Sequence, residues 1–207
     1  MKTLIKKIQK LKKAEISEKI NQRINEFKDI NRNSNDELFK ELCFCILTAN
    51  YNAEKTIKIQ KEIGDYFLTY SKQQLSEKLK KYGHRFPNNR AEYITEAKKF
   101  KDQLEKIIQH PDRNTIREWL VNNIKGLGYK EASHFLRNIG FDDYAIIDFH
   151  IIDLLVKHNI IKKPKYISKK IYLGIEGVLK NIARQTDLTL AELDLYLWYM
   201  ETGKILK

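Results

Sequence analysis

One lysine and one aspartate stand where they could do covalent chemistry on a sugar-phosphate chain. Lys130 follows the run Gly126-Leu127-Gly128 by two positions, and Asp148 comes eighteen residues after the lysine. Only glycine takes positive φ without steric cost, so the Gly-Leu-Gly run predicts a sharp backbone turn. A helix is expected directly after it, over KEASHFLRN (130–138). A turn that feeds a helix presents unpaired backbone N–H groups, and such groups bind phosphate. Lys130 then lies in the first helical turn, against the positive end of the macrodipole. That position disfavours the ammonium and favours the neutral amine, the nucleophilic form. These parts describe an amine nucleophile held beside a phosphodiester backbone.

The elements that must hold these residues read as helices throughout. Capping-box patterns at Ser34-x-x-Glu37, Ser71-x-x-Gln74 and Thr189-x-x-Glu192 predict helix starts. Asp112 caps a helix expected over 117–123, Ser168 one over 171–183, and Asp148 one over 149–155. Leu38, Leu42, Cys45 and Ala49 share one helical face, as do Leu190, Leu193, Leu197 and Met200, with Asp194 and Trp198 on adjoining faces. Leu4, Ile5, Ile8 and Leu11 recur at helical spacing in a basic N-terminal segment that reads as an amphipathic helix; a membrane-surface helix is the alternative. No alternating strand pattern exceeds about four residues. Eight Gly and three Pro leave few interruptions, with break signals at 31–34 and 140–143.

A chain of 207 residues allows one large domain or two small ones, and 42% hydrophobic residues suffice for a normal core. No apolar run approaches a membrane span, and the N-terminus lacks the continuous apolar stretch of a secretory signal. Lys and Arg number 39 against 27 Asp and Glu, a net charge of +12. Such an excess favours a polyanionic partner, although a solvated lysine-rich surface gives the same count. There are two cysteines, Cys43 and Cys45. Four thiolates are needed for an iron–sulfur cluster, so none is expected. Two positions apart on a helix, the sulfurs point to nearly opposite sides, and they read as buried thiols of an intracellular protein. The two Cys and five His show no ligand spacing for a catalytic metal.

The segments CFCILTAN (43–50), GHRF (83–86), KEASHFLRN (130–138), AIID (145–148), ELDLYLWY (192–199) and a final Lys207 resemble the archaeal-type 8-oxoguanine DNA glycosylase/AP lyases, the second 8-oxoguanine glycosylase family of the helix-hairpin-helix endonuclease III superfamily. The resemblance covers nearly the whole chain. It implies an all-α fold of two helical domains: a central barrel with the hairpin over 31–142, and a second domain formed by 1–30 plus 143–207. It places duplex DNA in the groove between them.

The resemblance also implies the site. Lys130 is the nucleophile. Asp148 both caps its helix and assists, by stabilising charge developing at C1′ or by orienting or deprotonating the lysine. Asn50, which also reads as a helix C-cap, fills the void left by the extruded base. In GHRFPNN, a loop fixed by Pro87, Arg85 contacts the orphaned cytosine and Phe86 wedges beside it; burial of Phe86 in the barrel is the alternative. Gly126 and Gly128 contact the DNA backbone. Carbonyls of 125–128 are candidates for a monovalent cation that bridges to phosphate. The family often carries a basic residue where this chain has Phe149, and His150 is the candidate replacement for that phosphate contact. His134 reads as a packed histidine rather than a catalyst. Trp198 is placed to stack on the damaged base, with core packing as the alternative. Lys207 is associated with telling 8-oxoguanine from guanine: N7 is an acceptor in guanine and a donor in the lesion, so a carboxylate near N7, such as that of Lys207, selects the lesion.

The function expected is excision of 8-oxoguanine from duplex DNA through a lysine Schiff base, with strand cleavage by β-elimination, in a monomeric, cytoplasmic, DNA-associated enzyme that needs no cofactor. The alternatives are a glycosylase for oxidised pyrimidines and a non-catalytic hairpin module. The absent cluster and Lys207 speak against the first. The joint presence of Lys130 and Asp148 speaks against the second.

Overall fold

The computed structural model describes residues 1–30 and 34–207, and among them every regular element is a helix. In chain order these are α1 (Lys2–Lys12), α2 (Ile16–Ile30), α3 (Asn35–Thr48), α4 (Ala53–Ile63), α5 (Tyr66–Thr69), α6 (Lys72–Lys81), α7 (Pro87–Ala97), a 3-10 stretch (Lys98–Gln103), α8 (Leu104–Ile108), α9 (Arg113–Asn123), α10 (Tyr129–Asn138), α11 (Phe149–Lys157), α12 (Lys169–Thr186) and α13 (Leu190–Thr202). The chain forms two compact units, one of Asp29–Ile139 and one of Met1–Lys28 with Gly140–Lys207. The break expected at 31–34 falls partly on 31–33, outside the described residues.

In the unit of Asp29–Ile139, α3 is the central element and packs against α4, α7, α8, α10 and the 3-10 stretch. The pattern Leu38, Leu42, Cys45, Ala49 predicts one buried face, and all four are buried. The burial extends further: every residue from 38 to 49 except Lys40 is buried, because neighbours surround the helix. Glu41 is buried with them and accepts a 2.6 Å hydrogen bond from Asn138 Nδ2, a polar tie between α3 and the end of α10. An unpaired carboxylate there would carry a large desolvation cost. Both cysteines are free and buried, and burial pushes the Cys43 thiol pKa well up.

The other unit is built on α2, α12 and α13. Ile20, Ile24 and Phe27 pack with Ala191, Leu195 and Tyr196, and Leu11, Ile16, Leu188 and Ile205 close the cluster's edge. Leu4 and Ile8 of α1 are buried, while Ile5 and Leu11 are half-buried. The N-terminal basic segment ends as a helix at Lys12 and restarts at Ile16, a break its periodicity does not announce. Ile205 anchors the last residues of the sequence to this core.

Most cap readings agree with the structure. Ser71 and Thr189 form complete capping boxes with Gln74 and Glu192. Asp112, Asp148 and Ser168 accept first-turn N–H groups of α9, α11 and α12. Ser34 is the exception. It occupies the N-cap of α3 without a side-chain hydrogen bond, and Glu37 pairs instead with Lys40, three residues on along the helix.

Candidate active site

Residues 124–128 join α9 to α10 and carry the turn. Gly126 has φ +89°, and a Cβ there would overlap the Tyr93 ring, so both backbone and space demand glycine. Gly128, expected to share that role, has φ −96° and ψ −171°, an extended conformation open to any residue. Its contribution is different. As a glycine N-cap it has no side chain to cover the first-turn N–H groups of α10, and its own N–H donates to Glu131 Oε2 at 3.2 Å. The helix end therefore stays open to an anion.

Lys130 is the second residue of α10. Its side chain is 28% exposed and its Nζ lies 3.5 Å from Glu131 Oε1. Neighbours on both sides pin this turn to α9. The Tyr129 hydroxyl donates to Glu118, the Tyr129 ring lies 5.3 Å from the Arg117 guanidinium, and Arg117 Nη1 donates to Ser133 Oγ at 3.3 Å. Lys125, before the turn, is held by Glu92 at 2.6 Å and Glu96 at 3.1 Å. Hydrogen bonds from Lys125 and Lys72 draw the Glu92 pKa down to about 2, and its carboxylate with Glu96 raises Lys125 to about 12. Lys125 is thus engaged on α7.

The same unit brings Asn50 and the 83–86 loop together. Asn50 is exposed at the end of α3 with φ +56°, the left-handed position after a helix that asparagine tolerates. His84, buried, accepts the Phe86 N–H on Nδ1 at 3.1 Å and lies with Nε2 3.0 Å from the Leu47 carbonyl. Arg90 Nη2 donates to Ala49 O at 2.6 Å, and the Tyr51 hydroxyl to Gly83 O at 2.9 Å. Phe86 is 36% exposed rather than buried in the core, with the Arg85 guanidinium 5.0 Å from its ring. Pro87 begins α7, so Pro87, Asn88 and Asn89 are helical and the loop ends at Phe86.

The remaining candidates lie in the other unit. Residues 145–147 lead into Asp148 outside any helix, and α12 holds them. Glu176 accepts the Ala145 N–H at 3.1 Å, and the Tyr172 hydroxyl donates to Ala145 O at 2.6 Å while accepting the Ile147 N–H at 3.3 Å. Asp148 Oδ1 caps α11 through the Ile151 N–H at 2.9 Å. His150 follows, its ring 4.0 Å from that of Phe149 and edge-on to Trp198 at 5.2 Å. Trp198 is half-buried; its Nε1–H is enclosed and has no hydrogen-bond partner among the described residues. Lys207 is half-buried at the end of the tail that Ile205 anchors. His134 is buried with its ring edge-on to Phe44 at 5.7 Å, as a packed histidine would be.

The family model described as 8-oxoguanine DNA glycosylase matches residues 20–188. The chain belongs to this family. It is 56% identical over 205 residues to the 8-oxoguanine DNA glycosylase/AP lyase of Methanocaldococcus jannaschii, covering 99% of each chain. The Korarchaeum cryptofilum protein of the same name is 52% identical over 206 residues, with 99% of this chain and 98% of that one covered. The crystal structure of the M. jannaschii glycosylase/lyase in complex with a 15mer DNA containing 8-oxoguanine matches with a TM-score of 0.97 at 55% identity, over 99% of this chain and 100% of that one. The Thermotoga maritima 8-oxoguanine DNA glycosylase matches at 0.94 and 42% identity, over 100% and 99%.

For this member of the 8-oxoguanine DNA glycosylases, several supporting residues escape a reading of the sequence. Glu131 was within reach, since Gly128-x-x-Glu131 has the spacing of a capping box. Tyr172, Glu176, His84 and Arg90 carry no such signal; each contacts backbone more than two dozen residues away or across a loop. Among the described residues no group of three or more His, Cys, Asp or Glu side chains could hold a metal, and no helix is long and apolar enough to cross a membrane.

Proposed function

We propose that this chain removes 8-oxoguanine from duplex DNA and cuts the resulting abasic strand, with Lys130 as the nucleophile. The observation that carries this reading is a lysine in the first turn of the hairpin's second helix, behind a glycine N-cap, in a chain that belongs to this family along nearly its whole length. Neutral Nζ attacks C1′ of the extruded nucleotide. The glycosidic C–N bond breaks, and the base leaves with the electron pair and gains a proton. Opening of the sugar ring gives the Schiff base. Loss of a C2′ proton then expels the 3′ phosphate by β-elimination, and water releases the lysine. Extrusion of the base costs a few kcal/mol, which filling the void offsets.

Asp148 assists at C1′ while capping α11, and Gly126, Gly128 and His150 contact the DNA backbone. Asn50, Arg85 and Phe86 engage the void and the cytosine opposite. Trp198 and Lys207 recognise the base. The carbonyls of Lys125, Gly126 and Leu127 accept no backbone hydrogen bond among the described residues and suit a monovalent cation bridging to phosphate. The enzyme acts as an intracellular monomer, with residues 31–142 as the hairpin domain and 1–30 plus 143–207 as the second.

Borohydride trapping tests this on duplexes carrying 8-oxoguanine opposite cytosine, thymine glycol, or no lesion. A covalent adduct on the 8-oxoguanine duplex alone is expected. Lys130→Gln should abolish the adduct and leave duplex binding within about twofold, because the change removes a nucleophile and not a phosphate anchor. Persistent cleavage by that variant excludes Lys130, and an adduct confined to thymine glycol overturns the substrate.

A further inference from the structure

His84 touches neither of the proposed catalytic residues, yet it is the hinge pin of the loop pair in its unit. Its two ring nitrogens do different work. Nδ1 accepts the Phe86 N–H at 3.1 Å and therefore carries no proton. Nε2 then bears the hydrogen and donates to the Leu47 carbonyl at 3.0 Å. One neutral tautomer thus bridges the last turn of α3, which presents Asn50, and the loop that presents Arg85 and Phe86. The Tyr51 ring, 4.2 Å away, covers the imidazole, and the Tyr51 hydroxyl holds the loop again at Gly83. Arg90 ties the α3 end at Ala49 from the first turn of α7. By contrast, Asn50 and Arg85 themselves make no hydrogen bond or ion pair among the described residues. Their placement therefore rests on the backbone beneath them.

We propose that His84 is a positioning residue that keeps Asn50 and the Arg85–Phe86 loop in a single register, so that the void and the opposite strand are engaged together. This rests on the roles given above to Asn50, Arg85 and Phe86. An imidazolium would face the Phe86 N–H with a second N–H and break the bridge. Burial, first, and the Arg90 guanidinium both lower the His84 pKa from its ordinary value, against the raising effect of the Leu47 carbonyl. Among the described residues, the groups acting on His84 are Tyr51 after α3, the Leu47 carbonyl of α3, the Phe86 N–H of its own loop and Arg90 of α7, with no carboxylate among them to favour the cation. The bridge is complete above the ordinary histidine range and is lost as pH falls through the lowered pKa.

The test compares two reactions of the full chain: excision of 8-oxoguanine opposite cytosine, and borohydride trapping on a single-stranded abasic oligonucleotide, which has no opposite strand and no base to extrude. His84→Asn retains an acceptor near the Phe86 N–H, and His84→Gln a donor near Leu47, so each keeps half of the bridge and favours folding. Both should lower duplex kcat/KM about tenfold and leave single-strand trapping within about twofold. In the unsubstituted protein the ratio of the two rates should fall with acidification, and in His84→Asn it should be flat. Equal loss on both substrates, or no loss on either, overturns the proposal. Asn50→Ala and Arg85→Ala run alongside. If these lower duplex excision and the His84 variants do not, only the positioning role fails. If they too are silent, the opposite-strand reading fails and takes the His84 proposal with it.

Discussion

Asp148 has one duty on view, the α11 cap, and one proposed, at C1′, and a substitution can separate them. Its carboxylate caps α11 through the Ile151 N–H, and the proposed chemistry needs its negative charge near C1′. Asparagine caps a helix about as well as aspartate, whereas alanine costs about 1 kcal/mol. Asp148→Asn should therefore unfold at nearly the same denaturant concentration as the unsubstituted protein while slowing Schiff-base formation by about 10²-fold or more. Asp148→Ala should lose both. If Asn is as active as Asp, the residue is a cap only. The sequence pattern announces the cap, because a cap is a local device, and the proposed catalytic role rests on the Lys-to-Asp spacing of the family. It announces nothing about Tyr172 and Glu176, which hold the segment leading to Asp148 from another helix.

At the level of the hairpin, the two glycines are not equivalent. Gly126 stands at φ +89° against the Tyr93 ring, and Gly128 is extended with only the Glu131 carboxylate, a side-chain end, near a Cβ, at 3.3 Å. Gly126→Ala should lower the unfolding free energy by at least ~1 kcal/mol from backbone strain, with the Tyr93 overlap in addition. Gly128→Ala should cost markedly less. Chemical denaturation of the two variants checks the order, and equal midpoints would contradict this geometry. The G-x-G pattern reveals a turn but does not say which glycine needs the left-handed region, since that depends on the path of α7 beneath it. The helices themselves are largely legible: the caps at Ser71, Asp112, Asp148, Ser168 and Thr189 are local and act as expected. Ser34 makes no such bond, and the Glu37 carboxylate that would complete its box pairs with Lys40, which also reaches Asp65.

Across the molecule, the excess of basic residues, +12 in net charge, belongs to binding rather than to fold. Affinity for undamaged duplex should fall linearly with the logarithm of salt concentration, with a slope of about −0.9 for each phosphate neutralised. A fluorescence-anisotropy titration across salt concentrations measures it, and an affinity indifferent to salt would sink the polyanion reading. Candidate residues are spread over both compact units, Lys130 in one and Asp148 in the other. Such a distribution leaves Asp148 dependent on packing in its own unit, and this is why α12 contacts matter to a residue of α11.

What could be read directly from the chain was whatever depends on near neighbours: helical periodicity, most caps, the hairpin turn, the lysine behind it and its spacing to the aspartate. These follow from interactions spanning a few residues, or from a family pattern written in consecutive residues. Tertiary structure decided the rest. It surrounded α3 on all sides, although the pattern promised one buried face. It left Phe86 at the surface, engaged Lys125 on α7, and chose Glu131 as the partner of both Gly128 and Lys130. It also joined Leu47, Ala49 and Phe86 through His84 and Arg90. Those outcomes depend on which groups meet across 37 and 41 residues of chain, and local propensity does not encode such pairings.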